Sequence, residues 1–199
     1  MIIPEKISGR LGNKMFQIAY LYAQVRDGII PDVYVQDYWY FEKYADDIKK
    51  LFGEGIGYLG QVGVHVRRGK NPIDPSEPAY KDNPFYVNLC EETTYYQEAL
   101  KLFPDDNFIV FTDDILYTKE YMSNLLPKER YQIMDKNDEV DDLNLMASCK
   151  GLIGANSSYS WWAGFLNPNP SARIVFPSVK NWYKDGIERT VCPKEWIRI

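Results

Sequence analysis

The first residues to suggest chemistry are two adjacent arginines at the end of an apolar run. In Val64-His65-Val66-Arg67-Arg68-Gly69 the valines alternate up to the basic pair, and charge at the mouth of a buried strand is costly to place unless an anion meets it. A guanidinium offers a planar fork of donors that matches phosphate oxygens. Surface arginines bound to neighbouring acids would satisfy the same pattern without a ligand. A second cluster is Gly151-Leu152-Ile153-Gly154-Ala155-Asn156-Ser157-Ser158-Tyr159-Ser160-Trp161-Trp162, where a strand runs straight into a helix. One N-cap needs one short polar side chain. Asn156, Ser157, Ser158 and Ser160 exceed that need, and hydroxyls, free N–H groups and the positive helix end together make a phosphate cradle. A third is the Gly9-Arg10-Leu11-Gly12-Asn13-Lys14 turn, where glycine permits close backbone approach and Lys14 adds charge. It has neither the Walker spacing nor the full dinucleotide fingerprint.

Acidic pairs complete the candidates. Asp113-Asp114 follows one strand and precedes a helix, as a cap, a metal site for a nucleotide-sugar phosphate, or acceptors for guanine or ribose donors. Asp141-Asp142 begins another helix and is read as capping. His65 is the one histidine, and the three cysteines, Cys90, Cys149 and Cys192, are widely spaced. That excludes a zinc site and a disulfide framework. With no Gly-x-Ser-x-Gly elbow, a serine hydrolase has no support. Metal-free phosphate chemistry remains.

Short apolar strands alternating with helices must position these groups. Strands are expected over 2–7, 61–68, 107–112, 131–134, 151–155 and 173–176, with helices over 14–25, 93–103, from 115 through 126, 141–150 and 156–166. The β-α-β-α order from residue 61 onward implies a parallel sheet covered by helices, in which ligands sit beyond the carboxyl ends of the strands. Three of the polar clusters fall at strand ends.

Composition sets the outer bounds. The 199 residues carry 28 acidic and 23 basic side chains, a formal charge of −5, which argues against a nucleic-acid partner. Aromatic content is 15%, with 16 Tyr and 5 Trp, and such rings serve packing or the C–H faces of sugars. The N-terminus lacks a signal-peptide layout, and no apolar run approaches the roughly 18 residues of a membrane helix. A soluble, cytoplasmic chain is expected, with peripheral membrane association left open and no oligomeric state indicated.

Together the clusters resemble the α-1,2-fucosyltransferases (glycosyltransferase family 11). Gly9 to Gln17 (Gly-Arg-Leu-Gly-Asn-Lys-Met-Phe-Gln) is similar to that family's opening motif, and His65-Val66-Arg67-Arg68-Gly69 to its donor-binding motif. Tyr95-Tyr96-Gln97-Glu98-Ala99 and Phe111-Thr112-Asp113-Asp114-Ile115 resemble the segments that follow. The most specific match is Asp142 to Lys150 leading into Asn156-Ser157-Ser158-Tyr159-Ser160-Trp161-Trp162. The likeness covers residues 61–182 and the opening motif.

The resemblance implies an α/β, GT-B-like fold of two Rossmann-type parts, with residues 1–60 a shortened acceptor-side part, 61–182 the GDP-sugar domain and 183–199 a C-terminal segment. It implies transfer of fucose from GDP-fucose to a glycan, with inversion and no metal or other cofactor. Carried onto this sequence, Arg67 and Arg68 stabilise the leaving pyrophosphate. Ser157, Ser158 and Ser160, with Asn156, bind phosphate. His65 and Asp113 or Asp114 contact guanosine, and Gly12 and Asn13 reach the donor from across the cleft. Asp74 and Glu77 are candidate bases. The chain departs from the family pattern at Lys70, where an acid is usual, at Lys14, where Gln is usual, and in the short stretch between Asn13 and His65. The alternatives are a transferase for another GDP-sugar, a nucleotide- or glycan-binding protein without turnover, and a merely structural domain.

Overall fold

The computed structural model describes residues 10–27, 38–53, 57, 59–69, 85–135 and 138–199. Six parallel strands, β1 (Leu59–Val66), β2 (Phe108–Thr112), β3 (Tyr131–Ile133), β4 (Cys149–Ile153), β5 (Arg173–Phe176) and β6 (Ile197–Arg198), form one sheet in the order β3-β2-β1-β4-β5-β6. This is the order of a Rossmann-type unit, as the expected donor half of a GT-B-like fold requires. The expected strand over 2–7 lies outside the described residues.

Both sheet faces are buried, which is why the strands read as continuous apolar runs. On one face Val62, Val64, Val66, Phe108, Val110, Ile153 and Val175 pack with Tyr95 and Tyr96 of α3 (Tyr95–Leu100) and Met122 of α4 (Ile115–Ser123). On the other, Ile109, Phe111, Leu152, Ile174 and Phe176 meet α5 (Glu139–Ala147), α6 (Ser158–Phe165), and Met15, Phe16 and Ala19 of α1 (Leu11–Asp27). Phe41 and Ile48, the latter in α2 (Ala45–Phe52), join this second core. Among the described residues, the short first part therefore contributes helices that pack on the sheet domain itself.

Element boundaries differ from the sequence expectations for local reasons. β1 stops at Val66, before the two charged side chains enter the buried layer. α5 begins at Glu139 because the Asp138 carboxylate accepts from the amides of Val140 and Asp141, each at 2.9 Å, so Asp141 and Asp142 fall in the first turn. α6 begins at Ser158 because the Ser157 hydroxyl takes the cap. The expectation did not include β6, which brings the C-terminal segment back as the sheet edge beside β5, or the single turn α7 (Val179–Trp182). No described helix is long and apolar enough to cross a membrane.

The seam between α1 and α6 is the tightest contact that bears on function. The Trp162 indole N–H donates to the Gly12 carbonyl at 3.0 Å, and Phe16 lies 4.7 and 5.0 Å, centroid to centroid, from Trp161 and Trp162. A Cβ on Gly12 would sit 2.7 Å from the Ser158 carbonyl carbon and the Tyr159 nitrogen, both backbone atoms that a rotamer change cannot move. Gly12→Ala is therefore expected to destabilise the chain by roughly 1–3 kcal/mol. Gly60→Ala, whose added methyl would meet nothing within 4 Å, should stay within about 0.5 kcal/mol of the parent. Paired urea melts measure the difference.

Candidate functional site

In a sheet of this order the chain turns opposite ways from β1 and β4, and the crevice between their carboxyl ends is where ligands bind. Arg67 and Arg68 follow β1, and Gly154 to Ser157 follow β4. A cavity of about 360 Å³ occupies this point, walled by His65, Arg67, Phe111, Thr112, Asp113, Ser157 and Tyr159, with Arg10 and Leu11 from the start of α1 and Glu139 and Asp142 from α5. Two helix N-termini, those of α1 and α6, border it. The positive ends of their dipoles favour an anion there.

The two arginines part company. Arg67 lines the cavity, and its guanidinium pairs with a carboxylate oxygen of Asp113. The other Asp113 oxygen accepts from the Arg68 amide at 2.7 Å, so one carboxylate fixes both the side chain and the backbone at the end of β1. Arg68 itself is buried. Its guanidinium donates to Asn88 Oδ1 at 2.9 Å and Glu91 Oε1 at 2.8 Å, and stacks 3.6 Å from the Tyr117 ring centroid. In the structure Arg68 ties the 88–91 turn to α4, away from the cavity wall.

The acidic and hydroxyl clusters divide in the same way. Asp113 faces the cavity, whereas Asp114 caps α4 by accepting from the Tyr117 amide at 3.3 Å. Ser157 caps α6 through the Tyr159 amide at 3.3 Å and also lines the cavity. Ser158 donates to Asn13 Oδ1 at 2.6 Å, joining the two motifs across the helix seam. Ser160 is fully buried and accepts from the Ala155 amide at 3.1 Å. Asn156 is buried too, donating to the Val87 carbonyl at 2.8 Å. Asn156 and Ser160 thus shape the turn after β4 from behind. Gly12 forms the seam rather than the cavity wall. Asp74, Glu77 and Lys70 lie outside the described residues.

Arg10, Glu139, Asp142 and Tyr159 line the cavity although the sequence reading named none of them as a site residue and took Asp142 for a cap. Glu139 and Asp142 stand three apart on α5 and so share a helix face; that spacing beside a strand end was the available signal. Burial raises the Tyr159 hydroxyl far above its usual range, with Asp142, Glu139 and Asp138 adding to it, and the hydroxyl donates to the Glu139 carbonyl. It stays protonated and holds α5 against α6.

His65 is 5% exposed and its Nδ1 has no hydrogen-bond partner among the described residues. Burial, then the charge of Arg67, lowers its pKa to about 3, so it is a neutral ring at physiological pH. Below the ordinary histidine value of 6.5 the unfolded chain takes up a proton that the native chain refuses. Stability therefore falls as pH drops from about 6.5 toward about 3, by up to about 1.4 kcal/mol per pH unit from this group. His65→Asn should flatten that part of the curve, as followed by denaturant melts between pH 7 and 5.

The sequence matches the family model "Glycosyl transferase family 11" over residues 20–199. It is 29% identical over 160 residues to the Alpha-1,2-colitosyltransferase of Escherichia coli, covering 77% of this chain and 52% of that protein. It is 24% identical over 200 residues to the O-antigen biosynthesis glycosyltransferase WbnK of Escherichia coli, covering 88% of this chain and 62% of the relative. The chain thus spans between half and two thirds of the length of these relatives. No solved structure matches it.

Proposed function

The chain belongs to glycosyl transferase family 11, and on that premise we propose that it transfers a sugar, fucose first, from its GDP-sugar to a glycan hydroxyl, forming an α-1,2 linkage to a galactoside. The observation that carries this reading is the cavity at the β1–β4 switch point, which Arg67 and Ser157, the cap of α6, line together. The acceptor hydroxyl gives up its proton to a carboxylate base, for which Asp74 and Glu77 are the candidates. As it does so, its oxygen attacks the anomeric carbon from the face opposite GDP, with inversion. The bond from that carbon to the β-phosphate oxygen breaks, and charge grows on the departing pyrophosphate. Arg67 and the α6 amides stabilise this charge more in the transition state than in the ground state, which is the work a divalent ion would otherwise do. His65, neutral and buried, adds no competing charge, and Asp142 supplies acceptor oxygens for the N1–H and amino group of guanine.

A second reading, a donor other than GDP-fucose, is favoured by one relative, named for transfer of colitose in an α-1,2 linkage. Competition between GDP-fucose and other GDP-sugars separates the two. A binding protein without turnover would take up GDP and release no sugar to any acceptor offered.

Calorimetric titration with chelator present should show GDP binding and no comparable UDP binding. Arg67→Ala should weaken GDP by about tenfold to a hundredfold and lower turnover on the order of 100-fold or more. A folded parent that does not bind GDP would refute the reading.

Guanine recognition has its own test. Asp142→Asn should lose roughly tenfold in GDP affinity and most of the preference for GDP over IDP, which lacks the amino group. An unchanged GDP-to-IDP ratio in the variant would remove Asp142 from base recognition.

A further inference from the structure

A second cavity, of about 450 Å³, opens at the opposite end of α6. Ser157, at the start of that helix, borders the first cavity, whereas Gly164 and Phe165, in its last turn, line the second together with Ala172 and Ile174 near the start of β5. A helix of eight residues spans roughly 12 Å. The two cavities therefore lie at opposite ends of the strands.

Three rings and three charges build the second cavity. Tyr38 and Phe165 meet edge to face at 5.8 Å, and Trp196 is held in place by Trp161 at 5.4 Å and Phe176 at 4.9 Å. Asp46 and Lys49, from α2, and Glu195 stand around these rings. The Lys49 ammonium lies 5.2 Å from the Phe165 ring centroid. Burial, then Glu42, Glu195 and Asp46, push the Tyr38 hydroxyl up to about 12. The Tyr38 hydroxyl is thus a neutral donor and acceptor among carboxylates.

The chemistry of these walls selects a ligand class. An apolar ligand would strip water from three charged groups and give nothing back. An anion would meet two carboxylates for one ammonium, without the guanidinium forks that line the first cavity. A neutral polyol fits: its C–H face lies on the rings, its hydroxyls donate to Asp46 and Glu195, and they accept from Lys49. We propose that this cavity is a carbohydrate-binding site for a neutral oligosaccharide, separate from the transfer site and holding a part of the glycan that does not react. Binding energy from such remote units can be used at the reacting centre.

The test is a titration of the isotope-labelled chain, saturated with GDP, with lactose, N-acetyllactosamine and maltotriose, read by amide and indole chemical shifts. At least one sugar should move the signals of Phe165, Ser171 and Trp196, with a dissociation constant on the order of millimolar. Ser171→Trp, at an exposed position on the rim, fills the cavity and should abolish these shifts. Asp46→Asn combined with Glu195→Gln should weaken the sugar about tenfold, with GDP affinity unchanged in both variants. The proposal is overturned if no sugar moves these signals, if shifts are confined to the surroundings of Arg67, or if Ser171→Trp leaves binding intact. GDP failing to bind while the sugar shifts persist would refute the donor reading and leave this site standing.

Discussion

The site depends on one close contact, the backbone of Gly12 pressed against the Ser158–Tyr159 peptide. A side chain at position 12 would hold the two helices apart. Without one, α1 and α6 start at the same place, and the Trp162 indole and the Ser158 hydroxyl lock the two starts together through Gly12 and Asn13. Residues at the starts of both helices then line one cavity, and their dipoles add where a single short helix would offer little. The aromatic mass behind the seam, with Phe16, Phe41, Trp161 and Trp162 all buried to within 1% exposure, makes this arrangement rigid. The many aromatic residues serve largely this packing.

The electrostatics of the cavity follow from burial. A cation beside a half-buried strand end needs an acid, and Asp113 supplies it from the neighbouring strand, β2, whose residues lie in register with β1: Val66 beside Thr112. That register places Asp113 one step beyond the sheet, next to Arg67. His65, one residue inside the strand, cannot gain a proton there without losing hydration that nothing replaces. The cavity wall thereby combines two guanidiniums, Arg67 and Arg10, with the carboxylates of Asp113, Glu139 and Asp142 and the neutral imidazole of His65.

Much of this was legible in the sequence, to different depths. The valine run of β1 and the Arg173–Phe176 strand carry their own signal, since a parallel sheet covered on both faces leaves no polar alternation to decode. The clusters at strand ends marked the site as a region. Residue-level roles were harder. Arg67 and Arg68 are the same residue type at adjacent positions, and what separates them is Asn88 and Glu91, some twenty residues away in a turn with no motif of its own. Asp113 and Asp114 differ only by which one reaches a helix amide. Asp142 was read as a cap because it stands near a helix start, but Asp138 took that place and left Asp142 turned to the cavity.

The pairing of Arg67 with Asp113 also bears on selectivity. A ligand anion entering the cavity meets an arginine that already has a partner, so it must either displace the carboxylate or share the guanidinium with it. A singly charged, strongly hydrated anion gains little from that exchange, because the Asp113 contact it replaces is itself charge-assisted. A pyrophosphate carries more charge and is long enough to meet both Arg67 and Ser157 at the start of α6, which line the same cavity. Holding Arg67 in place before the ligand arrives also removes part of the ordering cost on binding. The same carboxylate that weakens the site for small anions therefore favours a ligand long enough to span from Arg67 to the start of α6.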